Sequence, residues 1–497
     1  MPKKIAVGET VDTDITPVRK SRRAKANDID ANEPVNDISG IYGDILDDVW
    51  KRQGMDDGLA SDMEPMSTGM LALDMILGGG IRPAWYTNFG GEQSAKTTTT
   101  LTILAAAIKA AIPYSRLEDF EGSTRNSIPY VQNIFRSAGI KKSVQEVFGV
   151  KDPDTGKWLI RPIVGYIPET RGEAFFDRLH DLLKTLPDKK KIGKDWWLIF
   201  EDTKQNKARF GERSNPAMAK KHGAGIYVKT NDGGLQALII TDSYPGMNPE
   251  ANDEDESNNS LALQARMFAK HIPRVKGRLA SKMVAVIGVN QLRSNPMARH
   301  GPPESEPGGQ ALKFFSDVRI RHTSRAISGV PTKPAPKENP DDKSTEVEPS
   351  VQFDGQDTYR YIAVKADKNK LWTPKRQAWI RIWVEDANGE AQGLDPVYDT
   401  YWYLYFTGQA KGSKRNAITF NLEGYGLGTK TISWMEFKKW VLGSKEEKAE
   451  ICEKLGYKPI DVRKFCFHQM QEGVGERLYV AYKNSKGKDD DDEGQED

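Results

Sequence analysis

Cysteine is nearly absent. Among 497 residues only Cys452 and Cys466 carry a thiol, too few for a disulfide framework and without the paired spacing of a zinc site. That scarcity suits a reducing compartment, and the expected location is cytoplasmic. Long apolar runs are missing as well. No stretch approaches the roughly 18 residues of a membrane-spanning helix, and no secretory leader pattern is visible. Neither sign of charge dominates: Lys and Arg number 72, Asp and Glu 70, and the net charge is +2. The bias that exists is local. Arg19, Lys20, Arg22, Arg23 and Lys25 make a basic head, and Asp489 to Glu493 with Glu496 and Asp497 make an acidic tail. A basic head suits nucleic-acid contact but reads equally well as a solvated run.

What is present divides the chain into segments. Residues 1–37 are polar and poor in aromatics, and read as a disordered arm. Within 38–65, Ile41, Ile45, Leu46, Val49 and Trp50 recur at helical spacing, which predicts a short helical segment. Residues 66–385 alternate strand-like apolar runs with helical patterns, which predicts an α/β fold around a mostly parallel sheet. The clearest buried strands are Ala237–Thr241, Met283–Val289 and Val318–His322, continuous apolar runs of the kind parallel sheets bury on both faces.

Two segments interrupt this core. Residues 188–232 hold 11 Lys/Arg against 6 Asp/Glu, with Trp196, Trp197, Phe200 and Phe210 interleaved. That composition suits single-stranded nucleic acid, and it equally suits an inserted hairpin with its own small core. Residues 329–357, rich in Pro, Lys and acid, read as a flexible surface loop. Residues 386–485 read as a separate α+β module, with Trp434, Lys438, Lys439 and Trp440 on an expected helix, and 486–497 as a low-complexity acidic tail.

The most informative stretch is Phe89-Gly90-Gly91-Glu92-Gln93-Ser94-Ala95-Lys96-Thr97-Thr98. It matches the phosphate-binding pattern G-x-x-x-x-G-K-[ST] with one letter changed. The pattern works because backbone N–H groups wrap the β-phosphate, a lysine reaches the β/γ-phosphates and a hydroxyl ligates Mg²⁺. Lys96 and Thr97 fill the last two roles, and a helix expected over Thr97–Ala111 adds its positive end. Ala95 stands where the pattern has Gly. It keeps the N–H, but if the position needs φ > 0 it costs about 1 kcal/mol. Without a ligand the stretch reads as a glycine-rich turn before a buried helix.

Such a loop needs a second carboxylate for the magnesium shell. Asp242 supplies one at the end of a buried strand, where open α/β sheets bind ligands. A carboxylate to activate water is expected at another strand end, and Glu118-Asp119-Phe120-Glu121 follows the first loop and helix at the right distance. A further strand ends in Asn290-Gln291-Leu292-Arg293, whose amide and guanidinium groups suit sensing of a γ-phosphate.

These motifs, in this order, resemble the RecA family of DNA recombinases. The resemblance includes Ser67-Thr68-Gly69-Met70-Leu71-Ala72-Leu73-Asp74, Ile167-Pro168-Glu169-Thr170, Gly308-Gly309-Gln310-Ala311-Leu312-Lys313 and Lys368-Asn369-Lys370, and it covers residues 66–385. It implies a RecA-like ATPase core, an N-terminal oligomerisation helix that docks on a neighbouring subunit, and a small C-terminal domain that receives double-stranded DNA. It implies ATP and Mg²⁺ as cofactors. Gly90, Gly91, Glu92, Gln93, Ser94, Ala95, Lys96, Thr97 and Thr98 would hold the nucleotide. Glu121 would polarise the attacking water, Asp242 support Mg²⁺ with Thr97, and Gln291 couple the γ-phosphate to a DNA loop from Leu292 to Gly308. Arg293, Arg299, His300, Gly308 and Gly309 belong to that loop and its end. Lys368 and Lys370 would reach ATP across a subunit boundary. The first DNA loop would lie near Asn248 to Ser260, but Asp253, Glu254, Asp255 and Glu256 there would repel phosphate, which shifts contact to Arg266, Arg274 or Lys276. The long Glu121–Asp242 segment and Ala95 suggest a divergent branch such as the bacteriophage recombinases. The implied partners are single- and double-stranded DNA and further copies of the chain in a helical filament, with no membrane. A helicase-like motor on the same fold and a non-hydrolysing structural filament are the alternative functions.

Overall fold

The computed structural model describes residues 63–250, 260–294, 304–329, 358–385, 393–412, 417–422, 430–475 and 477–478. The expected N-terminal arm, the helix expected near Ile41, residues 251–259 of the first expected DNA loop, most of the 329–357 loop and the acidic tail lie outside the described residues.

The order of buried runs sets the architecture. β1 (Trp85–Gly90), β2 (Tyr114–Asp119) and β3 (Gly165–Pro168) come first. The 188–232 segment then forms its own antiparallel sheet of β4 (Asp188–Ile192), β5 (Asp195–Phe200) and β6 (Ile226–Thr230). The main sheet resumes with β7 (Ala237–Asp242), β8 (Val284–Gln291), β9 (Val318–Gly329), β10 (Thr358–Asn369), β11 (Gln377–Glu385) and β12 (Gly393–Leu394). Its order is β12-β11-β10-β9-β1-β8-β7-β2-β3. From β9 to β3 neighbouring strands are parallel, and β10 to β12 continue antiparallel.

Alternation along the parallel strands separates two apolar layers. In β7, Leu238 and Ile240 join one cluster while Ala237 and Ile239 join the other; β8 divides Ala285 and Ile287 from Val284 and Val286 in the same way. Each fully buried aliphatic side chain contributes roughly 1.5–3 kcal/mol. The first layer holds α1 (Leu71–Leu77), α2 (Lys96–Lys109) and α3 (Ile128–Ser137); the second holds α4 (Gly172–Thr185), α5 (Ser260–Lys276) and α6 (Gly309–Phe315). α2 is rich in β-branched threonine, a modest helix former. Its buried hydroxyls bond back to the preceding turn, Thr99 to the Ala95 carbonyl at 2.8 Å and Thr102 to that of Thr98 at 2.8 Å, so a polar sequence lies within the core without orphaned donors.

After β12 come α7 (Pro396–Phe406), α8 (Trp434–Leu442), α9 (Lys445–Leu455) and α10 (Val462–Gln471), with a small three-stranded sheet between α7 and α8. These helices share the first apolar cluster with the main sheet: Tyr401, Trp402, Trp434 and Trp440 belong to it. Asp399 of α7 also caps α1, accepting from the N–H groups of Leu71 at 2.9 Å and Ala72 at 3.0 Å. Arg463 of α10 pairs with the same carboxylate at 2.8 Å.

Candidate nucleotide site

β1 ends at Gly90 and the chain wraps through Gly91, Glu92, Gln93 and Ser94 into α2. Only glycine fits at position 90, because a Cβ there would lie 2.2 Å from the His322 carbonyl oxygen on β9. Ala95 caps α2 at φ 59 and ψ 26, so the left-handed conformation expected of the missing glycine is present and borne by a residue with a Cβ. Ala95→Gly is expected to raise unfolding free energy by about 0.5–1 kcal/mol, relief of αL strain exceeding the added freedom of the unfolded chain. Denaturant unfolding measures this, and a loss of stability would show that the Ala95 methyl packs to more effect than its strain costs.

Lys96 folds back over the loop. Its Nζ donates to the Gly91 carbonyl and, at 3.2 Å, to Ser94 Oγ. The side chain is buried, which lowers its pKa against the opposing pull of Asp242, Glu121 and Glu92. One residue on, Thr97 Oγ1 donates to Asp242 Oδ2 at 2.7 Å. β1 and β7 flank β8, so residues 145 positions apart meet above the carboxyl ends of the strands. A hydroxyl beside a carboxylate is a hard oxygen pair of the kind Mg²⁺ accepts.

Burial, together with the nearby Glu121 and Asp119, raises the Asp242 pKa from 3.8 to about 7, although Thr97 and Lys96 pull the other way. The folded chain thus holds a proton that the unfolded chain loses near pH 4, and this contribution to stability fades as pH rises through 7. In the nucleotide-free protein, Asp242→Asn is expected to be more stable than wild type at pH 8 by on the order of a few kcal/mol, and so to unfold at higher temperature, with the difference vanishing near pH 4. Thermal unfolding across pH tests it. The neighbouring His322, lowered to about 3 by burial, is common to both proteins and drops out. A pH-independent difference would refute a buried, proton-holding Asp242.

Glu121 lies beyond the end of β2. Its Oε1 accepts from Ser243 Oγ and, at 3.2 Å, from Gln291 Nε2. The neighbouring acids are occupied elsewhere. Glu118 is fully buried against Arg116 at 2.7 Å and Arg178, and Asp119 accepts from the Thr124 N–H at 3.0 Å and Tyr166 Oη at 2.9 Å. Glu121 alone of the three lines the cleft. Gln291 closes β8, and the next amide, Leu292 N–H, donates to the Gly90 carbonyl at 2.9 Å. Asn290 Nδ2 reaches the Pro307 carbonyl at 3.2 Å. The two ends of the 292–308 segment are thus tied to the phosphate loop and to each other.

These groups border an open cleft of about 420 Å³ lined by Glu92 to Thr98, Glu121, Asp242 and Gln291. Tyr130, Val289, Arg360, Ile382 and Trp383 complete the wall and were not apparent from the sequence. Arg360 donates to the Gln93 carbonyl at 2.7 Å and to Gln93 Oε1 at 3.2 Å across 267 residues. Nothing in its local sequence marks it; it arrives because β10 adds antiparallel to β9. Tyr130 shares a short hydrogen bond with Thr98 Oγ1, and its hydroxyl pKa is raised by burial.

Other expected residues lie apart from the cleft. Lys368 is at the far end of β10, paired with Arg319 near the start of β9, and donates to the carbonyls of Lys313 at 2.9 Å and Phe314 at 2.8 Å. Lys370 follows at the same end, its N–H on the Asp317 carbonyl. Arg293 is exposed at the base of the 292–308 segment, in a two-residue pairing with Glu304 and Ser305. Arg299 and His300 lie outside the described residues. Gly308 and Gly309 take φ 87 and φ 68 and let α6 approach α5, since Cβ atoms would sit 3.0 Å from Phe268 and 2.8 Å from Ala265. Arg266 and Arg274 are exposed on α5, whereas Lys276 is held by Asp317 at 2.8 Å.

Comparison with known proteins converges on one family. The family model for the RecA N-terminal domain matches residues 224–332, which carry β7, β8 and their strand-end residues. Protein RecA of Thermus aquaticus is 30% identical over 203 residues, covering 37% of this chain and 52% of that protein. Protein RecA of Mesoplasma florum is 30% identical over 217 residues, covering 43% and 60%; that of Streptococcus agalactiae serotype III is 28% identical over 194 residues, covering 37% and 46%. The chain thus spans about half the length of these relatives. A phosphate loop on β1, an acid at the end of β2, an aspartate closing β7 and a glutamine closing β8 on one mostly parallel sheet accompany these matches, and the chain is similar to the RecA family over this core.

Proposed function

We propose that this protein is an ATP-dependent DNA recombinase that forms filaments on single-stranded DNA and promotes strand exchange in recombination and repair, in the cytoplasm. One observation carries the reading: Ser243, Glu121 and Gln291 form a continuous hydrogen-bonded row from the cleft to the base of the 292–308 segment, and Leu292 is bonded to the phosphate loop itself. A change at the nucleotide would therefore alter contacts that hold the DNA-facing segment.

Mg²⁺ bound with ATP screens phosphate charge, and Thr97 and Asp242 would hold it. Lys96 would exchange Gly91 and Ser94 for the β/γ-phosphates. Glu121 would orient a water and take its proton, with Ser243 and Gln291 fixing the carboxylate. Lys368 and Lys370, remote from their own cleft, would act on the nucleotide of a neighbouring copy. Arg293, Arg299, His300 and Arg266 would meet DNA phosphates without sequence preference, with Gly308 and Gly309 shaping the segment's return.

Hydrolysis measured with and without single-stranded DNA, beside filament imaging and strand exchange between matched oligonucleotides, tests this. Stimulated hydrolysis, filaments and exchanged strands are expected. Stimulation without exchange would assign the site to a motor, and filaments without hydrolysis to a structural polymer.

A further inference from the structure

The 188–232 insertion is a small ordered platform with an exposed cationic face. It leaves after α4 and returns at Ala237, the start of β7, whereas the nucleotide cleft lies beyond Asp242 at the other end of that strand, about 17 Å away by strand rise. It is fixed at the strand-start end. Lys189 Nζ holds Asp232 at 2.9 Å and the Gly234 carbonyl at 2.7 Å, and Gln236 Nε2 reaches the carbonyls of Pro187 at 2.9 Å and Lys282 at 3.0 Å.

Two short helices, Lys204–Phe210 and Pro216–His222, cover this sheet, and neither contributes a buried residue. They are nonetheless held in place. Thr203 and Asn215 cap them, Ser214 bridges Val228, and Tyr227 Oη donates to the His222 carbonyl at 3.1 Å. Residues 204–222 carry six Lys/Arg and one Glu. Lys204, Lys207, Arg209, Arg213, Lys220 and Lys221 are all exposed. Lys207 pairs with Asp202 at 2.6 Å, and Arg209 lies over Phe210. A solvated helix face mixes both signs; this stretch has six Lys/Arg against one Glu, while the whole chain is nearly neutral at +2.

The aromatics decide how it would bind. Trp197 is buried, Phe200 and Phe210 stack on each other at 4.0 Å, and Gly233 covers Trp196, where a Cβ would lie 2.5 Å from the indole nitrogen. Trp197 is sealed, and the half-buried Trp196, Phe200 and Phe210 each have a face taken up within the platform, which leaves little ring surface for base stacking and favours phosphate contact.

We propose that the cationic face over residues 204–222 is a second DNA-binding surface, separate from the 292–308 segment, that grips the phosphate backbone of duplex DNA without reading or stacking its bases. The proposal builds on the recombinase reading but is separately testable. In the full-length protein, Lys204, Arg213, Lys220 and Lys221 are replaced together by Gln, and in a companion variant by Lys204→Arg, Arg213→Lys, Lys220→Arg and Lys221→Arg. Binding to a mixed-sequence duplex is followed by fluorescence anisotropy against salt, with circular dichroism confirming the fold. The Gln variant is expected to bind at least about tenfold more weakly at low salt, with the slope of log affinity against log salt reduced by roughly 2–4. The charge-retaining variant should match wild type, and hydrolysis at saturating single-stranded DNA should be kept. Unchanged duplex affinity and slope in a folded Gln variant would overturn the proposal. So would a loss confined to binding of anionic phospholipid vesicles. Loss of duplex binding in the Gln variant, when even wild type shows no DNA-stimulated hydrolysis, would uphold the surface and defeat the recombinase reading alone.

Discussion

Lys96→Ala is expected to reduce ATP hydrolysis by roughly 10²–10³-fold, the scale on which removal of one charge-stabilising group is felt. Lys96 is the cation at the start of α2, buried among Asp242, Glu121 and Glu92. The other cation lining the cleft among the described residues is Arg360, and its guanidinium already bonds both the backbone and the side chain of Gln93. Taking over the Lys96 role would break those contacts, so substitution is not expected. The variant should remain folded, since the lysine's hydrogen bonds are confined to its own loop, at Gly91 and Ser94. Steady-state phosphate release with and without single-stranded DNA measures the effect. Wild-type turnover would remove the phosphate loop from the mechanism, and residual turnover abolished by adding Arg360→Ala would transfer part of the role to the arginine.

Glu121→Gln should separate binding from chemistry. An amide can still accept from Ser243 and Gln291, so the geometry survives while the base is lost. Removal of a positioned base typically costs about 10²–10⁴-fold, and ATP and DNA binding should persist. Filaments on single-stranded DNA should then outlive those of wild type, as seen by imaging after excess competitor is added. Normal hydrolysis would direct attention back to Glu118 and Asp119. Both are poorly suited to replace Glu121, because Glu118 is sealed between two arginines and Asp119 is held by Thr124 and Tyr166.

Much of the core was legible in the chain because its signals are local. The helix expected over Thr97–Ala111 spans Lys96–Lys109, and the strand expected over Ala237–Thr241 spans Ala237–Asp242. Met283–Val289 became Val284–Gln291, and Val318–His322 became the longer Val318–Gly329. That last strand outruns its apolar stretch because β10 pairs along it, and backbone pairing does not require apolar side chains. In the 188–232 segment the basic and aromatic composition was plain, but which side chains faced water was not. Phe200 and Phe210 are ten residues apart, and their stacking depends on how the Lys204–Phe210 helix lies over β5.

Residue types and their spacing already specify the chemistry of the parts. A phosphate loop, buried parallel strands and acids near strand ends follow from residue type and short-range spacing, which obey helix and strand geometry directly. Tertiary structure decided the combination. Glu118, Asp119 and Glu121 are equivalent acids until β3, α4 and β7 pack around them; Arg360 is an ordinary strand residue until β10 carries it to Gln93; and Lys368, on that same strand, ends beside α6 rather than in its own cleft. Those choices depend on which strands pair and in what register, over separations from 47 residues for Asp119 and Tyr166 to 267 for Gln93 and Arg360, where loop closure, burial and hydrogen bonding are satisfied only by the whole fold.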